Sequence, residues 1–101
     1  MIWKPHVTVA AILECEGRFL LVEEETDEGI RFNQPAGHLE CREALTEAVI
    51  REVLEETGRT FVPESLVGVY QWRREAKDIT YLRFVFAGRI TAHDSARPLD
   101  Q

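Results

Sequence analysis

From Val7 to Leu13 the chain is a nearly unbroken apolar run rich in β-branched residues, the pattern of a buried strand. Glu14-Cys15-Glu16-Gly17 interrupts it with turn residues, and Arg18 to Glu23 resumes as a second strand, predicting a hairpin. Glu24 to Gly29 is polar and acidic and reads as an exposed connection. Ile30 to Gln34 reads as a short strand stopped by Pro35. From Arg42 to Thr57 there is neither Gly nor Pro, and Leu, Ala, Glu and Arg dominate. That composition predicts a helix of about four turns with Gly58 as its C′ residue. Ser65 to Arg73 predicts another strand, Arg74 to Asp78 a charged turn, and Ile79 to Ile90 a long final strand. Strands flanking a central helix predict an α/β or α+β sandwich. Thr91 to Gln101 has no periodicity and reads as a loop on its way to a further element, so the expectation is a C-terminally truncated domain.

On a helical wheel, Ala44, Leu45, Ala48 and Val49 fall within about 80° of Glu52, as do Glu55 and Glu56. The stripe is apolar in its first half and carries three carboxylates in its second. Ile50, Val53 and Leu54 lie on roughly the opposite side, which predicts a helix held between two apolar layers. Glu47, Arg51 and Glu55, at i, i+4 and i+8, predict an ion-pair ladder along one edge.

Length and composition bound the reading. The 101 residues, 45% hydrophobic and 30% charged, suit one globular domain over 1–101. No apolar run approaches the roughly 20 residues needed to span a bilayer, and no signal-peptide core precedes the first strand, so a cytoplasmic protein without a membrane role is expected. A net charge of -6 argues against nucleic-acid binding through phosphates. The imbalance concentrates between Glu14 and Glu56, where thirteen acidic side chains meet four arginines. Cys15 and Cys41 match no zinc spacing and read as buried or incidental thiols.

Glu52, Glu55 and Glu56 stand at i, i+3 and i+4, so their head groups must be neighbours. Like charges so placed raise one another's pKa unless a cation intervenes. Oxygen donors at this spacing suit Mg²⁺, with Mn²⁺ as substitute. A solvated acidic face without a role is the competing reading of Glu-x-x-Glu-Glu taken alone.

The wider pattern is Gly37-x5-Glu43-x7-Arg51-Glu52-Val53-x-Glu55-Glu56-x-Gly58. It resembles the Nudix box, the signature of the Nudix hydrolase superfamily, here covering residues 37–59. Arg59 departs from it, standing where the family carries an aliphatic residue. The resemblance implies the Nudix α/β/α sandwich around a mixed sheet, here lacking its C-terminal strand and helix. It also implies Mg²⁺-dependent hydrolysis of a phosphoanhydride by water attack. By position, Glu52, Glu55 and Glu56 would hold metal, with the Gly37 carbonyl as a further ligand. Arg51 would orient the carboxylates and Glu43 would support them. Glu52 would be either the general base or a metal ligand alone.

Lys4-Pro5-His6-Val7-Thr8-Val9-Ala10, Asn33-Gln34-Pro35-Ala36-Gly37-His38-Leu39-Glu40 and Gln71-Trp72 are similar to segments of the NudJ-type phosphatases within that superfamily. That likeness implies release of inorganic phosphate from hydroxymethylpyrimidine pyrophosphate, thiamine pyrophosphate and nucleoside di- and triphosphates. Trp72 could then stack on an aromatic head group, with a half-buried strand aromatic as the alternative. Gln34 could donate an amide to substrate, or be a strand-end polar residue. His38 could touch phosphate from the loop before the helix, or cap that loop. Arg83 reads either as a phosphate contact or, more simply, as a cross-strand ion pair. A Nudix pyrophosphatase acting on ADP-ribose or damaged nucleotides, and a non-catalytic nucleotide-binding module, stand as alternatives. Self-association of the short chain is a further expectation.

Overall fold

A computed structural model describes residues 2–20, 22–26 and 29–93. Strand β1 (His6–Cys15) is the centre of the main sheet. The turn after it places Glu16 at φ 53° and Gly17 at φ 77°, two successive left-handed residues that reverse the chain into β2 (Arg18–Leu20) as expected. The polar run that read as a connection is instead largely strand. β3 (Val22–Thr26) pairs antiparallel with β4 (Gly29–Asn33) as a separate two-stranded ribbon. Backbone pairing needs no apolar side chain, so composition alone misreads such a ribbon. Asp27 lies outside the described residues.

Pro35 does not end the extended chain for long. Ala36–His38 forms β5, antiparallel to Thr8–Ala10, with Ala11 N donating to Pro35 O at 2.9 Å just before it. His38 is therefore the last residue of a strand rather than a loop residue. Three residues are too few to show any period, which is why the strand is invisible in the sequence.

The helix, α1, spans Leu45–Thr57 and so starts three residues later than the composition predicts. Arg42 is at φ 67°, a left-handed conformation that cannot continue into a right-handed helix. Ala44 takes the N-cap position at φ -75° and ψ 155°, and Glu47 Oε1 accepts its backbone N–H at 2.8 Å. Glu47 thus closes the helix N-terminus instead of joining an ion-pair ladder. Gly58 ends the helix as expected, at φ 71°, with its N–H donating to Leu54 O at 2.9 Å.

β6 (Arg59–Arg74) starts directly after Gly58, well before the predicted Ser65. It absorbs Pro63 through register shifts between Pro63 and Ser65 and at two further places, where a missing N–H is tolerated. A single 3-10 turn, Glu75–Lys77, leads into β7 (Ile79–His93), which carries the strand three residues beyond the predicted end. The rest of the expected tail loop, 94–101, lies outside the described residues. Gly88 permits the close packing of β7 on β6: a Cβ there would overlap Val62 O.

The order is β2-β1-β7-β6 with β5 also on β1, and β1 runs parallel to β7 while the other pairs are antiparallel. This is the expected mixed sheet, with α1 in the connection between the two parallel strands. The helix covers one sheet face. Val9, Ala11 and Leu13 from β1, Phe61 from β6 and Phe86 from β7 close against Ala48, Val49 and Val53 in the main core. Val53 therefore belongs to the core stripe and not to a second, opposite layer; Ile50 packs at the margin of that core. One helix layer is present among the described residues. Cys15 is half-buried and Cys41 exposed, both free thiols.

Candidate active site

Arg51 organises the first site. On the second turn of α1, it aims a forked donor at the carboxylates around it. Its Nε and Nη2 donate to the two oxygens of Glu43 at 2.7 and 3.0 Å. Nη1 donates to Glu52 Oε1 at 2.7 Å and to Glu55 Oε2 at 3.3 Å, while Nη2 also reaches His38 O at 3.0 Å. Glu40 adds an ion pair to Nε at 3.1 Å. The guanidinium is thus shared among four carboxylates and one backbone carbonyl. Its pKa is pushed further above the ordinary arginine value, first by the Glu43 hydrogen bond, with the Glu52 bond adding and partial burial opposing. Glu43 is held below its ordinary value by the same hydrogen bond and then by the Glu40 backbone N–H, which donates at 3.0 Å.

Glu52 and Gly37 fit together by subtraction. A Cβ on residue 37 would overlap the Glu52 carboxyl group, so only glycine lets that carboxylate close onto β5. The backbone of Gly37 is not in the left-handed region, so space and not φ is what demands glycine. Glu56, one turn on, accepts the Ala36 N–H at 3.2 Å. The two carboxylates therefore grip β5 from the helix, at adjacent residues. Among the described residues no three Asp, Glu, His or Cys side chains converge on one point as a ready metal cluster. Arg51 Nη1, bridging Glu52 and Glu55, supplies positive charge between them.

The remaining sequence-predicted residues lie elsewhere. Trp72 is on β6, separated from β5 by β1 and β7, and strand alternation sends it to the face that α1 does not cover. There it stacks on Tyr81, with ring centroids 5.1 Å apart and planes 15° from parallel, and Arg83 lies 5.3 Å from its centroid. Trp72 as a whole remains 41% exposed. Arg83 makes this cation–π contact rather than the cross-strand ion pair that reads as simpler, and its buried Nε has no hydrogen-bond partner among the described residues. Gln34 is exposed just ahead of β5.

His38 joins the two regions. Its carbonyl accepts from Arg51, and its ring packs edge-on to His6 at 6.4 Å. His6 in turn meets Tyr81 edge-on at 5.6 Å. A line of rings, His38, His6, Tyr81 and Trp72, therefore crosses the uncovered face from the box to β6. The sequence singles out neither Tyr81 nor His6 as a site residue. The available signal was the shared parity of Tyr81 and Arg83 on β7, which becomes informative only once β1 and β7 are known to be neighbours.

Comparison with known proteins places this arrangement. The family model for the NUDIX domain matches residues 3–99. Phosphatase NudJ of Escherichia coli and of Shigella flexneri are each 48% identical to the chain over 98 residues, covering 97% of it. The chain spans only 63% of the length of these curated relatives. Among solved structures, a NUDIX hydrolase from Nitrosomonas europaea superposes with a TM-score of 0.84 at 50% identity, covering 97% of this chain and 67% of its own. A MutT protein from Methanosarcina mazei does so with a TM-score of 0.73 at 32% identity, covering 91% and 70%.

Proposed function

Because the chain belongs to the NUDIX domain family, we propose that it is a Mg²⁺-dependent phosphatase releasing inorganic phosphate from small pyrophosphate compounds. Hydroxymethylpyrimidine pyrophosphate, thiamine pyrophosphate and nucleoside di- and triphosphates are the substrates in this reading. It treats residues 1–101 as a single domain with its box at 37–59, acting in the cytoplasm. No helix among the described residues is long and apolar enough to cross a membrane. Likeness to phosphatases supports the reaction class. The observation that carries the reading is the closure of Glu52 over Gly37, with Glu52 and Glu55 sharing one arginine and Glu56 accepting the neighbouring Ala36 N–H.

The donor set suits a hard divalent cation: three carboxylates on consecutive turns and a backbone carbonyl at the Cβ-free cradle of Gly37. Glu52, Glu55 and Glu56 would hold Mg²⁺, or Mn²⁺ in its place, with the Gly37 carbonyl. When bound, such an ion supplies charge neutralisation of the diphosphate and acidification of water. Arg51 aims Glu52 and Glu55 through its hydrogen bonds, and Glu43 fixes Arg51 by its two-point grip. His38 contacts the phosphate chain, Gln34 donates its amide, and Trp72 reads the head group through its open area. Exposed Tyr70 and Trp72 on the uncovered face of β6 support self-association.

Direct assay of orthophosphate, with a coupled control for pyrophosphate, tests this on those substrates and on ADP-ribose, with and without Mg²⁺. Mg²⁺-dependent orthophosphate as the direct product is expected. Pyrophosphate or nucleoside monophosphate instead would replace the reading with a Nudix pyrophosphatase. Binding without turnover would leave a nucleotide-binding module.

A further inference from the structure

A cavity of about 690 Å³ opens between the start of β1 and the turn joining β5 to α1. Lys4, His6, His38, Arg42 and Glu43 are among the residues around it. Its acids are already committed: Glu43 is gripped at two points by Arg51, and Glu40 pairs with the same guanidinium. Lys4 and Arg42 have no ion-pair partner among the described residues. Two imidazoles 6.4 Å apart add further donors. In a chain of net charge -6, two cations without an ion-pair partner on the rim of one cavity stand out. The backbone adds to it, because Arg42 is held at φ 67°, where glycine or asparagine would sit with less strain. Glu43 and His38 form the shared wall, since both contact Arg51, which holds Glu52 and Glu55 on its other side.

We propose that this cavity is a second phosphate subsite, in which Lys4 and Arg42 hold the part of an oligophosphate that extends beyond the bond being cut. The inference rests on the hydrolase reading above and deepens it: substrates with three phosphates reach both places, whereas those with two reach one. Lys4 and Arg42 touch substrate away from the reacting phosphorus and set preference by phosphate-chain length.

The test uses inorganic tripolyphosphate and pyrophosphate as probes in titration calorimetry, without divalent metal and with sulfate at matched ionic strength as control. NMR of the His6 and His38 ring protons runs alongside. Tripolyphosphate should bind more tightly than pyrophosphate or sulfate and shift both imidazoles. Lys4→Gln and Arg42→Asn should each weaken tripolyphosphate about tenfold, the loss expected for one charge-assisted contact. Asparagine is chosen because it tolerates the left-handed backbone, and Lys4→Gln alone suffices if the second variant melts early. In turnover, the variants should raise KM for nucleoside triphosphates and not for diphosphates, with kcat held. Equal binding of all three anions, or variants that bind tripolyphosphate like the parent, would overturn the subsite. Absence of hydrolysis in the parent would overturn the hydrolase reading alone, because the calorimetry stands without it.

Discussion

The two faces of the main sheet carry the same strands and opposite chemistry. On the face under α1, Val9, Leu13, Val49, Val53 and Phe61 are sealed, and the charged groups at its rim are paired through Arg51. On the other face, Thr8 Oγ1 and Arg83 Nε are buried without a hydrogen-bond partner among the described residues, while Tyr70 and Trp72 are 52% and 41% exposed. Thr8 and Arg83 are register neighbours on β1 and β7, so the two unsatisfied atoms belong to one patch. The covered face is stabilised by burial and edged by the ion network of Arg51. The open face retains unused hydrogen-bonding capacity and aromatic area, which are what a ligand requires. Burial and open aromatic area are thus divided between the faces, and β5 joins them, with Gly37 under the helix and His38 turned to the other side.

Five substitutions test that division. Glu56→Gln should abolish turnover while sparing the fold, because the amide oxygen can still accept the Ala36 N–H; near-normal phosphate release would show that the metal site is misplaced. Phe61→Ala, at the centre of the covered face, should cost about 3–5 kcal/mol in urea unfolding, and a cost below about 1 kcal/mol would mean that this core is not what holds the sheet and helix together. Gly37→Ala should push the Glu52 carboxyl off β5 and weaken Mg²⁺ or Mn²⁺ binding roughly 10–100-fold by calorimetry, with a smaller effect on stability.

Arg51→Gln probes the ion network through pH. Glu43 is depressed from its ordinary value of 4.5 by Arg51, so its contribution to stability is present above that value and is lost as pH falls through the folded value. Urea melts from about pH 7 to about pH 3 should show that acid limb in the parent and a flatter profile in the variant. An unchanged limb would assign the acid sensitivity to other carboxylates. The smallest effect, with the opposite sign, is expected on the open face: Thr8→Val removes an unpartnered hydroxyl and should stabilise the protein by about 1 kcal/mol. A loss of stability there would mean that the hydroxyl is satisfied in solution.

Much of this was legible in the residues because the signals are local. The Glu16-Gly17 turn, the Gly58 helix stop and the i, i+3, i+4 carboxylates each depend on chemistry within a few positions, and the structure places the turn and the helix stop where expected. The helix start was misjudged at Arg42 because a left-handed arginine leaves no compositional trace. Strand β5 and the β3–β4 ribbon escaped notice because their reason for existing is a partner strand and not a side-chain pattern.

By itself, then, the sequence determined the family pattern, the mixed α/β class and the alignment of three carboxylates along one helix. These follow from spacing, and spacing along a helix is fixed by its 3.6-residue turn. Tertiary structure decided that Arg51 binds Glu43 and not Glu47, that Gly37 lies beneath Glu52, and that Trp72 lies two strands from the box with Tyr81 and Arg83 as neighbours. Each of those depends on which strands become neighbours and which backbone atoms need a partner, and no window of local sequence contains that information.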